Sequence, residues 1–191
     1  MNIDEELLVA CEKNNRKAQE KLYKACYVFL IPLCMRYHKN ETDARAIFNK
    51  CFLKILKNLH TLNGNSSSFA AWAKRIMNNT LVDEYRSTKN YREKISKRDN
   101  ERELDYHASS HVNDAETKFN EKSVMDLLDQ LKPATKQVFI LYVVEGYSHR
   151  EIAEMLEMSE GTSKWQLSTA RKELKQLLEK EHKKELDRLA L

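Results

Sequence analysis

Glycine and proline are scarce. With 3 and 2 of them in 191 residues, there is too little turn chemistry to punctuate a set of strands and hairpins. Strands are not expected, and the fold class is all-α. Long apolar runs are missing too: Tyr27–Met35 and Val138–Val144 fall far short of the roughly 20 residues that cross a bilayer. The opening MNIDEELL is acidic where a signal peptide would be basic, so neither membrane insertion nor export is expected, and the chain reads as cytoplasmic. The 4 cysteines form no C-x-x-C pair. Cys11, Cys26, Cys34 and Cys51 each sit among apolar residues at helical spacing and read as reduced core thiols. His107 and His111 stand one turn apart, but in a polar stretch with no thiol nearby, so they read as a solvated pair and no metal is expected. No P-loop, paired-acid or zinc-protease signature occurs, so no enzyme and no cofactor are expected.

What the chain does have is charge, unevenly spread. The net value is only +4, yet from Lys74 to Arg102 nine basic residues stand against five acidic, and from Gly161 to Lys184 seven stand against three. Between them, Glu103 to Asp126 is acidic. This pattern suggests two anion-facing modules joined by an acidic tether.

Helical periodicity agrees with two modules. Asp4 can cap a short helix ending near Lys13, broken by Asn14-Asn15, and a second helix runs from about Arg16 to His38, bent or interrupted by Pro32. Ala44, Ile47, Phe48, Cys51, Phe52, Ile55, Leu56 and Leu59 mark one apolar face over four turns of a third. After the polar loop 60–68, a fourth helix turns Phe69, Trp72, Ala73, Ile76 and Leu81 inward. Residues 99–120 lack periodicity and read as a flexible linker between a domain at 1–98 and another at 121–191. In the second domain a short helix stops before Pro133. Val138, Phe139, Leu141, Tyr142 and Val143 then form a buried helix closed by Gly146.

Ser148-His149-Arg150-Glu151 is a capping box, followed by a helix with Ile152, Ala153 and Leu156 inward. Ser159 caps the next helix, whose buried stripe is Leu167, Ala170, Leu174, Leu177 and Leu178. Helix, tight turn, helix is the framework that lays a second helix in a DNA groove. Its outward residues, Gly161, Thr162, Lys164, Trp165, Ser168, Thr169, Arg171 and Lys172, combine phosphate donors, hydroxyls and one aromatic. A bare Gly161 near the helix start would let backbone amides approach phosphate.

EIAEMLEMSEGTSKWQLSTARKEL resembles the promoter-reading domain of extracytoplasmic-function sigma factors, with its E-I-A-x-x-L-x-x-S-x-G-T-x-K pattern. DARAIFNKCFLKILKNL is similar to that family's polymerase-binding helix, and SFAAWAKRIMNNTLVDEYRSTKN to its promoter-melting helix, with F-x-x-W and D-x-x-R. The resemblance implies a two-domain initiation factor. Its expected partners are core RNA polymerase (clamp and flap) and promoter DNA, both single-stranded and duplex. An anti-sigma factor, or another DNA-targeting protein, completes the list.

By that resemblance Asp43, Arg45, Ala46, Asn49, Lys50 and Leu53 meet polymerase. Asn63, Asn65 and Ser66, with Lys74, Arg75, Asn78, Arg86 and Lys89, hold the minus-ten strand, and the outward residues of the last helix read the minus-35 duplex. This sequence departs from the family pattern at Arg45, Ala46, Asn49 and Lys50, where acids and a glutamine are common, and at Glu157, Ser163, Trp165 and Thr169. The first four imply polymerase docking by other than the usual charge complementarity; the last four imply weak or atypical minus-35 recognition, with promoter choice leaning on another DNA-bound partner. Two other readings stay open, a helix-turn-helix regulator without polymerase binding and a helical adaptor; F-x-x-W and D-x-x-R argue against the first.

Overall fold

The structure, a computed structural model, describes residues 3–38, 40–62, 68–96 and 121–189. All described regular elements are helical, in two compact units, Met1–Asn100 and Glu101–Leu191. The linker expected at 99–120, with His107 and His111, lies outside the described residues, as do Asn63, Asn65 and Ser66.

The first unit holds α1 (Glu5–Glu12), α2 (Arg16–Met35), α3 (Glu41–Asn58) and α4 (Phe69–Ser96), with a 3-10 turn at Leu59–Thr61. Asp4, Asn15 and Asn40 each accept a first-turn amide through the side chain, which satisfies donors the helix cannot. Asn14, at φ 59°, makes the left-handed step between α1 and α2, a conformation asparagine tolerates better than most residues. Pro32 lies within α2 without interrupting it. The carbonyl it deprives of an amide belongs to Val28, a residue 77% exposed to solvent, and the helix ends one turn later.

Phe48 is the hub of this unit's core. It meets Tyr23 and Tyr27 edge-on at 5.1 and 5.2 Å, and Phe52 lies stacked at 6.1 Å. The four cysteines are buried and free. Burial pushes the thiols of Cys26, Cys34 and Cys51 up to about 12, so they remain neutral apolar groups.

The second unit holds α5 (Glu121–Leu128), α6 (Pro133–Phe139), α7 (His149–Leu156) and α8 (Glu160–Leu189). Pro133 opens α6 as expected. A π-helical turn, Ile140–Val144, then follows directly, and Gly146 at φ 79° ends it. The wider turn shifts the register by part of a turn: Ile140 and Leu141 are buried, while Val143 is 49% exposed, not in the core where the uninterrupted apolar run had placed it. The stripe on α8 also fades early, since Leu167 and Ala170 are buried but Leu178 is exposed.

Candidate nucleic-acid and partner interfaces

The capping box at α7 is present in full: Ser148 accepts the Glu151 amide, and Glu151 Oε2 accepts the Ser148 amide at 2.8 Å. α7 ends at Glu157, a non-glycine residue at φ 53°. Ser159 then caps α8 by accepting the Thr162 amide at 3.0 Å. These two caps set the start of each helix and so the phase of its side chains.

The rotation of α8 is fixed from below. Leu167 and Ala170 are buried, and so is Ser163, whose Oγ lies 2.9 Å from Nδ1 of His149 on α7. The His149 ring stacks on Tyr142 at 4.4 Å. Thr135 of α6 donates to Gln166 Oε1 at 2.6 Å from the other side. This polar seam escaped the sequence reading, because its members are 14 and 31 residues apart and each alone looks like an ordinary surface residue.

With that phase set, Gly161, Thr162, Lys164, Trp165, Ser168, Arg171 and Lys172 are all exposed and Thr169 is half-buried. Trp165 is 62% exposed, so it is no part of the core. Among the described residues no ion pair holds Lys164, Arg171 or Lys172. A Cβ built on Gly161 would meet only Ser159 Oγ, at an ordinary 3.6 Å. Nothing inside the described fold requires glycine there.

On the first unit, Asp43, Arg45, Ala46, Asn49, Lys50 and Leu53 share the exposed face of α3. Its cations, which stand where the family commonly has acids and a glutamine, are paired within the chain. Arg45 pairs with Glu41 at 2.6 Å, Lys50 with Glu84 of α4 at 2.9 Å, and the neighbouring Lys54 with Asp83 at 2.8 Å. The Arg45 guanidinium holds the Glu41 carboxyl below the usual carboxylate range by hydrogen bonding. Asn49 accepts from the Tyr23 hydroxyl at 2.9 Å. The face is thus charge-balanced, and Leu53, 58% exposed, stands on it as an apolar projection.

Along α4 the expected strand contacts divide. Arg75 and Lys89 are exposed, Lys74 and Arg86 half-buried. Asn78 is 2% exposed: its place among Met77, Thr80, Leu81 and Val82, where the inward face of α4 is widest, puts it in the interior and not on the surface.

Two helical modules, one ending in a long cation-bearing helix and the other in a helix-turn-helix, define a DNA-binding factor. Residues 22–91 match the family model for sigma-70 region 2, and residues 121–174 that for sigma-70 region 4. The chain is 26% identical over 178 residues to the ECF RNA polymerase sigma-E factor of Haemophilus influenzae, covering 88% of this chain and 91% of that one. Among solved structures it is similar to the sigma factor RpoE of Bartonella quintana, in complex with the anti-sigma factor NepR. That likeness has 18% identity, a TM-score of 0.52, and coverage of 87% and 98% of the two chains. It is also similar to CnrH in complex with the cytosolic domain of CnrY, at 21% identity and a TM-score of 0.46, with 92% and 97% covered. The chain belongs to the sigma-70 family, as an extracytoplasmic-function sigma factor. It is a transcription initiation factor, whose partners are core RNA polymerase and promoter DNA.

Proposed function

We propose a division of labour within that role. A domain at 1–98 docks on the polymerase clamp through the exposed α3 face around Leu53. It captures the single-stranded minus-ten element with the loop containing Asn63, Asn65 and Ser66 and with Lys74, Arg75, Arg86 and Lys89 of α4. A domain at 121–191 reads the minus-35 duplex through Gly161, Thr162, Lys164, Trp165, Ser168, Thr169, Arg171 and Lys172, and 99–120 tethers the two. The chain acts in the cytoplasm without catalysis of its own.

The observation that carries this reading is the α8 face, where exposed cations without carboxylate partners surround hydroxyls and one aromatic ring on a helix whose rotation is locked. A polyanion supplies the missing negative charge, and a major groove accommodates a helix. The Bartonella relative was solved with an anti-sigma factor, and a factor of that class is proposed to hold this chain when it is idle. Of the unusual residues, Glu157, Trp165 and Thr169 stand at or on the reading face while Ser163 is buried, and a second, DNA-bound protein adds to promoter choice without replacing the duplex contact of α8. Transcription from a promoter library by core polymerase, with and without the chain, tests the proposal. Initiation that depends on the chain, at sites sharing two spaced motifs, supports it. The absence of both a stoichiometric complex and any chain-dependent transcript overturns it.

A further inference from the structure

We infer that Trp165 reads thymine, by laying its indole against C5-methyl groups in the major groove of the duplex that α8 binds. The inference rests on the duplex-reading face proposed above. Trp165 is 62% exposed although its helix is clamped by buried Ser163, Leu167 and Ala170, so the ring is held outward with no place in the core. Its neighbours along the helix face, three and four residues away, are Gly161, Thr162, Ser168 and Thr169, all short. Helical side chains lean toward the N-terminus, which puts the indole's reach over Gly161 and Thr162, where no long side chain blocks a flat approach.

The chemistry of the ring selects the target. An indole has one donor and no acceptor, so it cannot make the paired hydrogen bonds by which arginine reads guanine or asparagine reads adenine. What it offers is apolar area. The apolar feature that base pairs present in the major groove is the thymine methyl. Unpaired Lys164, Arg171 and Lys172 on the same helix favour a polyanionic occupant over an apolar protein pocket.

The test uses the full chain bound to core polymerase. Duplexes enriched by this holoenzyme from a random library are resynthesised with each thymine of the upstream element replaced, one at a time, by deoxyuridine, which lacks the methyl. At one or two positions the wild type is expected to lose about fourfold in affinity, as for one methyl-sized apolar contact. Trp165→Ala should be indifferent to the replacement, and Trp165→Phe, which keeps an apolar ring, should stay sensitive. Because the side chain is exposed, folding is not at risk, and circular dichroism of each variant checks this. A wild type indifferent to deoxyuridine, or an alanine variant equally sensitive, overturns the inference while leaving duplex reading intact. Enrichment of no upstream element at all overturns duplex reading and the inference with it. Loss of a protein partner but not of DNA on Trp165→Ala assigns the ring to a protein pocket and refutes thymine reading.

Discussion

On α3 the cations Arg45, Lys50 and Lys54 face carboxylates of their own chain; on α8 the cations Lys164, Arg171 and Lys172 face solvent. The two interiors differ as well. The first unit packs a four-ring aromatic cluster and four thiols, whereas the second has a smaller core crossed by the His149–Ser163 and Thr135–Gln166 hydrogen bonds. A cation on a helix face therefore means different things in the two places. In the first unit the α3 cations are neutralised locally, leaving shape and Leu53 to distinguish that face. In the second the charge remains available to phosphate, and a polar seam holds the helix that carries it.

The largest expected effect tests the first interior. Phe48→Ala removes the fully buried hub of the aromatic cluster and should cost the first unit about 3–5 kcal/mol in denaturant unfolding. A loss below about 1 kcal/mol would mean that the cluster repacks and that the contrast between the two cores is shallow.

Alkali should separate the units without any mutation. The thiols of Cys26, Cys34 and Cys51 are raised by burial from 9.0 to about 12, so between these values the unfolded chain ionises them while the folded one does not. Their contribution is complete below 9.0 and is lost progressively as pH rises toward about 12. The second unit contains no cysteine and lacks this liability. Thermal melts of wild type and of a Cys26→Ala variant across that window measure it. The variant should lose less stability with rising pH, and identical slopes would remove the thiols from the account.

Much of this was legible in the sequence, for definite reasons. Period-3.6 patterns recovered the α3 face because one side of that helix is buried nearly throughout, and the capping box announced α7 because its two members are only three residues apart. Three features were not legible. The π-turn at Ile140–Val144 depends on packing that an apolar run does not encode, so Val143 was placed inside. Asn78 carries a polar side chain on a face that is buried only because α4 turns its broad side inward. The Lys50–Glu84 and Lys54–Asp83 pairs join residues 34 and 29 apart, so the neutrality of α3 could not be read from its own residues. Of the candidate site, the α8 face was legible as a set; the seam that orients it was not.

That seam gives the next prediction. Ser163→Ala removes the buried hydroxyl beside His149 Nδ1 and should cost the second unit about 1–3 kcal/mol, the penalty for an unpaired polar group. Tyr23→Phe in the first unit also removes one hydroxyl contact, to Asn49, but at an exposed site, and should cost under about 0.5 kcal/mol. Equal losses in chemical denaturation would erase the distinction between seam and surface.

Charge availability predicts a smaller asymmetry, in binding. Lys164→Ala should weaken duplex binding by about 1 kcal/mol and lower the salt slope by roughly one unit, as the loss of one phosphate contact does. Lys50→Ala, whose partner is Glu84, should leave the slope unchanged. Affinities titrated against salt decide it, and an unchanged slope for the Lys164 variant would take this face off the DNA.

Gly161 tests the comparison most finely, because fold and function pull in opposite directions there. It lies in the first turn of α8, where glycine carries an entropic cost, and a Cβ would meet nothing closer than Ser159 Oγ at 3.6 Å. Gly161→Ala should therefore stabilise the second unit by roughly 0.5–1 kcal/mol. If the bare backbone serves close approach to phosphate, the same variant should bind duplex less tightly than wild type. Higher stability with unchanged affinity would show that the glycine answers to neither the described fold nor the DNA. Lower affinity from a more stable protein would locate its reason outside the chain, at the surface α8 meets.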